Sequence, residues 1–232
     1  VTSHHAFVEV KKQVDQSKSK NIDILVEPIQ KNTAPSILFA AHVIKTTYKD
    51  DCNIIIFPAD SFISDYKPIE DFIKYFMDKS AHYPIISLSK IDNNPNSNFG
   101  YMLGKKVDSF TYKTSNFVEK PDKEKLEELS MLEDVYINTG IFITTIDFLF
   151  NELNLSHSSL IRSVIDSIKE DGRSLDFKLF SKIEPIAIDK ALFEKTNTHF
   201  FYELESEWSD VGSFFEYTNL LRNNSSDKKG NI

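Results

Sequence analysis

The 232-residue chain has one cysteine, Cys52, so no disulfide framework can form within it, and a reducing compartment is the expectation. No apolar run approaches the length of a membrane span, and no secretory leader pattern is visible. The expected location is cytoplasmic, with no membrane partner. Charge does not gather in blocks: 27 Lys and Arg against 35 Asp and Glu give a net charge of -8, spread along the chain. Nothing reads as a nucleic-acid footprint, although a free nucleotide or sugar phosphate needs only a local cationic or amide-lined site. The six histidines show no H-E-x-x-H grouping, and no Ser/His/Asp signature occurs. A zinc hydrolase and a triad hydrolase both lack support. Only six glycines occur, three of them in short mixed segments: Gly100, Gly140 and Gly212. Each stands either where a side chain would collide or where a turn needs it; both readings remain open.

What is abundant is core material. The hydrophobic fraction is 41% and 19 residues are phenylalanine, enough for a sizeable core. Phe7, Val10 and Val14 lie at helical spacing within 5–16, and "IDILVE" at 22–27 reads as a strand. "KNTAPSILFAAHVIKTTY" places Ile37, Leu38, Ala41 and Ile44 on one helical face, with Asn32 or Thr33 as N-cap and Pro35 in the first turn. "NIIIF" at 53–57 is a short unalternating apolar run, expected as a central parallel strand buried on both faces. The next helix, "KPIEDFIKYFMDKS", points Ile69, Phe72, Ile73 and Phe76 inward, and a strand follows at 83–89.

The alternation of helix and strand predicts an α/β fold, a mostly parallel sheet flanked by helices. The Asn-rich loop 90–98 is irregular; strand material resumes at 99–103 and 116–119. A charged helix covers 122–132, a strand 135–145, and two helices lie around 145–153 and 158–169. "FFYELE" is strand-like, residues 213–222 helical, and 223–232 a polar tail, so one domain is expected over 1–222.

In such a sheet, ligands bind beyond the carboxyl ends of strands. Asp60 follows "IIIF" in "PAD" and can hold Mg²⁺, which prefers oxygen ligands, or cap the next turn. "NFVEKP" at 116–121 puts Glu119 and Lys120 at a strand end, where a lysine neutralises phosphate and an acid accepts sugar hydroxyls. A surface Glu–Lys pair is the plainer reading. Asp210 in "EWSDVGSFFEY" either caps the last helix or completes a metal site with Asp60. "KNTAP" offers helix amides with Asn32 and Thr33, and Glu27 before it can accept from a base amino or imino group.

Taken together, these segments resemble the nucleotidyltransferase domain of the mannose-1-phosphate guanylyltransferases, or GDP-mannose pyrophosphorylases. "EPIQKNTAP", "FPADSFISD", "NFGYMLGK", "FVEKPD", "INTGIF", "AIDKALFEK" and "EWSDVGSF" match that family's segments in order. Ser61, Ile137 and Thr139 replace its usual histidine, tryptophan and serine.

The resemblance implies a Rossmann-like fold of the nucleotide-diphospho-sugar transferase type. It also implies GDP-mannose formation from GTP and mannose 1-phosphate, with Mg²⁺ or another divalent cation on Asp60 and Asp210. Lys120 and Glu119 would position the sugar phosphate, Asn138 and the backbone around Gly140 would receive sugar hydroxyls, and Gly100 would let backbone approach the sugar. Glu27, Asn32 and Thr33 would lie at the guanine and ribose end, and Asp189 would support the sugar half.

The family's opening strand and Gly-rich phosphate loop have no counterpart here, so the domain is expected to be N-terminally incomplete and inactive alone. A missing N-terminal fragment or a second copy is the expected protein partner. Another sugar-1-phosphate nucleotidyltransferase and a non-catalytic nucleotide-sugar-binding relative are the alternatives.

Overall fold

The computed structural model describes residues 1–19, 21–49, 51–213, 217 and 218. Of the helix expected over 213–222, only Ser213, Tyr217 and Thr218 are described; the tail 223–232 lies outside the described residues. The chain opens with β1 (Thr2–Ser3), α1 (Phe7–Gln16), β2 (Val26–Glu27) and α2 (Thr33–Tyr48). Then come β3 (Asn53–Ile56), β4 (Ser61–Ile63), α3 (Lys67–Lys79) and β5 (Ile85–Ile91). β6 (Gly100–Lys106), β7 (Thr111–Glu119), α4 (Lys123–Ser130) and β8 (Tyr136–Thr145) follow. The described elements end with α5 (Ile146–Asp166), α6 (Phe177–Phe180), a π-helical turn at Asp189–Phe193, β9 (His199–Glu203) and β10 (Trp208–Asp210). No helix among the described residues is long and apolar enough to cross a membrane.

Two compact units are formed: Val1–Ile54 with Thr144–Asn197, and Ile55–Ile143 with Thr198–Ile232. In the first, α2 packs against α5, and α5 in turn against α6 and the π-helical turn. Asn32 caps α2, its side chain accepting from the Thr33 amide at 2.9 Å. Leu38 and Ala41 are buried as the helical spacing predicts, while Ile37 and Ile44 are only half-buried. Phe39 and Val43 are buried as well, so the apolar face of α2 is wider than one stripe. The two helices expected around 145–153 and 158–169 are both present, joined as α5 across non-helical backbone at His157 (φ -138°, ψ 43°).

The second unit holds a mixed six-stranded sheet in the order β3-β8-β5-β9-β7-β6, in which β6 also pairs with β8. β5 and β9 run parallel; β7 is antiparallel to both β6 and β9. α3 covers one face, with Ile69, Phe72 and Phe76 against Ile86, Leu88, Ile141 and Ile143. Burying each such side chain stabilises the unit by about 1.5–3 kcal/mol. Ile73, expected inward, is 36% exposed, because the i, i+3, i+7 row of Ile69, Phe72 and Phe76 leaves it on the flank.

β3 differs from the central strand expected of it. It lies at the end of the strand order rather than the centre, and Ile55 and Phe57 are 37% and 45% exposed. An unalternating apolar run is therefore no proof of burial on both faces. On the far side of the sheet Tyr112 stacks on Phe201, with centroids 5.0 Å apart and planes at 1°, beside buried Tyr136 and Met102.

Candidate functional site

Asp60 lies in the turn after β3, and Asp210 ends β10. β4 and β10 form a two-stranded antiparallel ladder with Asp210 opposite Ser61, and the Val211 amide donates to the Asp60 carbonyl at 2.8 Å. Two carboxylate residues far apart in sequence thus stand one position from each other across a ladder. The ladder is tied down by Trp208, whose ring meets Phe99 edge-on at 5.8 Å and whose Nε1 reaches Ser61 Oγ at 3.4 Å. No described group hydrogen-bonds the Asp60 carboxylate. Asp65 takes the capping task instead, its Oδ1 accepting from the Lys67 amide at 2.9 Å.

Glu119, Lys120, Gly100, Asn138 and Gly140 belong to the same unit. Gly100 and Glu119 are register partners across β6 and β7, and a Cβ on Gly100 would come within 2.5 Å of Glu119 Oε2. The glycine is thus needed for the carboxylate above it. Lys120 follows with φ 47°, a left-handed backbone that a lysine rarely adopts, fixed by its amide donating to the Phe99 carbonyl at 3.1 Å. Its side chain is exposed and has no partner among the described residues. Next to Gly100, Tyr101 is buried and receives the Asn96 amide at 2.8 Å while donating to Asp92 at 3.2 Å. Burial, with the Asp92 charge adding to it, pushes this phenol up to about 12.

On β8, Gly140 has φ 74°, and a Cβ there would meet Pro58 Cγ at 2.9 Å. Both conformation and space require the glycine. Asn138 is 8% exposed, and its Oδ1 accepts from the Gly140 amide at 3.2 Å. The Thr139 hydroxyl donates to the Leu88 carbonyl at 2.6 Å, and Ile137 packs with Tyr101, Leu129 and Val135. Both replacements therefore serve the interior.

The other expected residues sit in the first unit. Glu27 ends β2 and is 9% exposed. Asn32 has φ 67° and ψ -171°, a region normally left to glycine. Thr33 Oγ1 accepts from the Ile188 amide at 2.8 Å, and the Ala34 amide donates to the Ile186 carbonyl at 3.1 Å. Those bonds stitch the start of α2 to the segment leading into Asp189. Asp189 is thus in the unit of Glu27, Asn32 and Thr33, not in that of Gly100 and Glu119. One residue not singled out from the sequence joins this group: Ser36, whose hydroxyl lies 2.7 Å from Glu27 Oε2. The nine-residue separation across a helix start gives the sequence no periodic signal for that pair.

Among the described residues no group of three or more His, Cys, Asp or Glu is gathered. Two carboxylates alone, were they to share an ion, would leave most of its shell to waters and substrate phosphates, as a hard divalent cation allows. They do not suit a closed protein cage for zinc.

The mixed sheet with its covering helices is a Rossmann-like α/β fold of the nucleotidyltransferase type. Residues 1–226 match the nucleotidyl transferase family, and the chain belongs to it. A mannose-1-phosphate guanylyltransferase from Escherichia coli is 26% identical over 239 residues, covering 98% of this chain and 51% of that protein. The alginate biosynthesis protein AlgA of Pseudomonas putida is 25% identical over 236 residues, covering 98% and 48%. The chain thus spans about half the length of the curated relatives it matches. A mannose-1-phosphate geranyltransferase structure from Thermus thermophilus superposes with a TM-score of 0.76 at 20% identity, covering 94% of this chain and 62% of that one. The structure of a mannose-6-phosphate isomerase from Helicobacter pylori gives 0.75 at 24%, covering 89% and 82%. At these identities the likeness shows the fold.

Proposed function

We propose that the complete protein is a mannose-1-phosphate guanylyltransferase, forming GDP-mannose and pyrophosphate from GTP and mannose 1-phosphate. The observation that carries this reading is the β4–β10 ladder, which brings Asp60 and Asp210 onto adjacent backbone. Relatives of that name among the sequence matches support the sugar and the base.

Asp60 and Asp210 would hold Mg²⁺ or another divalent cation. When bound, such a cation neutralises charge on the reacting phosphates. Lys120 supplies a point charge for the sugar phosphate, and the Glu119 carboxylate, standing over Gly100, accepts from sugar hydroxyls. Asn138 and the Gly140 backbone do the same. Glu27 takes the donor edge of guanine, Asn32 and Thr33 lie by the base and ribose, and Asp189 supports the sugar half. A sugar-phosphate oxygen attacks the α-phosphorus in line, its new P–O bond replacing the bond to pyrophosphate, which leaves with the electron pair. No side-chain nucleophile takes part, so catalysis rests on positioning and charge.

The test is pyrophosphate release by the complete protein with each nucleoside triphosphate, paired with mannose 1-phosphate or glucose 1-phosphate. GTP with mannose 1-phosphate is the pair expected to turn over fastest. Preference for another pair would make the protein a different sugar-1-phosphate nucleotidyltransferase. GDP-mannose binding without pyrophosphate release would make it a non-catalytic relative.

A further inference from the structure

We infer that Ser36 is a positioning residue that sets the plane of the Glu27 carboxylate for a nucleobase with two adjacent donors; this rests on the guanine reading of Glu27. Glu27 is nine-tenths buried yet has no cationic partner among the described residues. Its neighbour Lys31 is engaged elsewhere, donating to the Ser181 carbonyl at 2.7 Å. Among the described residues the one hydrogen bond to the carboxylate is from Ser36, to Oε2 at 2.7 Å; the same hydroxyl lies 3.3 Å from the Asn32 carbonyl.

A carboxylate has about four acceptor sites, and one donor leaves most of them unused. Glu27 Oε1 is not among the buried side-chain oxygens that lack a partner, so it reaches the surface and can meet further donors from outside. Ser36 stands on α2, and Glu27 ends β2. The hydroxyl therefore fixes the rotation of the carboxylate from a rigid element, with Oε1 open. The edge that complements two coplanar oxygens is the N1–H and exocyclic amino pair of guanine. Adenine and uracil each offer one donor beside an acceptor, and hypoxanthine lacks the amino group.

The experiment is calorimetric binding of GTP and ITP to the whole protein and its variants. Wild type is expected to bind GTP about tenfold or more tightly than ITP, as a charge-assisted hydrogen bond is lost with the amino group. Ser36→Ala should bring that ratio close to one, and Ser36→Thr should restore it. Alanine is the best helix former, so Ser36→Ala keeps α2 intact. An unchanged GTP/ITP ratio in Ser36→Ala, together with a collapsed ratio in Glu27→Gln, overturns the role of Ser36 and spares that of Glu27. An unchanged ratio in Glu27→Gln, or a wild type that does not distinguish the two nucleotides, overturns both.

Discussion

The carboxylate of Glu119 occupies the space that a side chain on Gly100 would need: a Cβ there would stand 2.5 Å from Oε2. The glycine and the acid are partners across β6 and β7, so a side chain added at position 100 must displace the acid.

Gly100→Ala should therefore leave the fold and move the acid. The obstacle is the far end of a flexible side chain rather than backbone, so Tm should stay within about 2 °C of wild type. The KM for the sugar phosphate should rise roughly tenfold, since Glu119 would no longer stand in place. Steady-state kinetics beside a thermal melt separates the two effects. Gly140→Ala is the contrasting case, because φ is 74° and the obstacle is the Pro58 ring at 2.9 Å. It should cost about 1–3 kcal/mol and lower Tm by roughly 5 °C.

Asp60→Asn should preserve the β4–β10 ladder, which holds Asp60 through its backbone carbonyl. Circular dichroism should match wild type, while the rate of the complete enzyme falls about 10²-fold or more. An active Asp60→Asn enzyme would remove the carboxylate from the cation-binding reading.

Lys120 combines backbone strain with an exposed charge. Lys120→Gly should raise stability by about 1 kcal/mol, because φ 47° costs glycine little. It should also lower turnover, as should Lys120→Ala, which keeps the strain and loses only the ammonium. If Lys120→Gly is more stable and equally active, the lysine is only a turn residue.

His199 is fully buried beside Ser87, 2.7 Å from its hydroxyl, and burial lowers its pKa to about 3. Its unfolded value, about 6.5, is higher, so between the two the unfolded chain binds more protons. The contribution is complete above about pH 6.5 and is lost progressively as pH falls toward about 3. The slope should reach about 1.4 kcal/mol per pH unit. Denaturant titrations at about pH 7, 6 and 5 should show that loss in wild type and a flatter profile in His199→Gln.

The elements carrying clear periodicity were legible in the sequence. α3 shows Ile69, Phe72 and Phe76 as an inward row, and the break in α5 falls at His157, between the two helices expected there. Position within a sheet was not legible. "NIIIF" has the composition of a buried strand, yet whether β3 is central or terminal depends on partners it does not encode locally. The neighbourhood of Asp60 and Asp210 was legible only through the order of motifs. Ser36 was not legible at all, because a serine in the opening turns of a helix has ordinary local uses.

The β4–β10 ladder has a consequence for how the protein forms. It is three residues long, and its strands are separated by residues 64–207, so closing it is entropically expensive and gives few backbone bonds in return. The pair of acids does not exist as a pair in the unfolded chain. Any ion held by both would bind the folded state in preference, and the equilibrium between ladder and coil would then depend on the ion's concentration. Assembly of this corner of the molecule and the affinity of the proposed cation site are, on that account, one equilibrium.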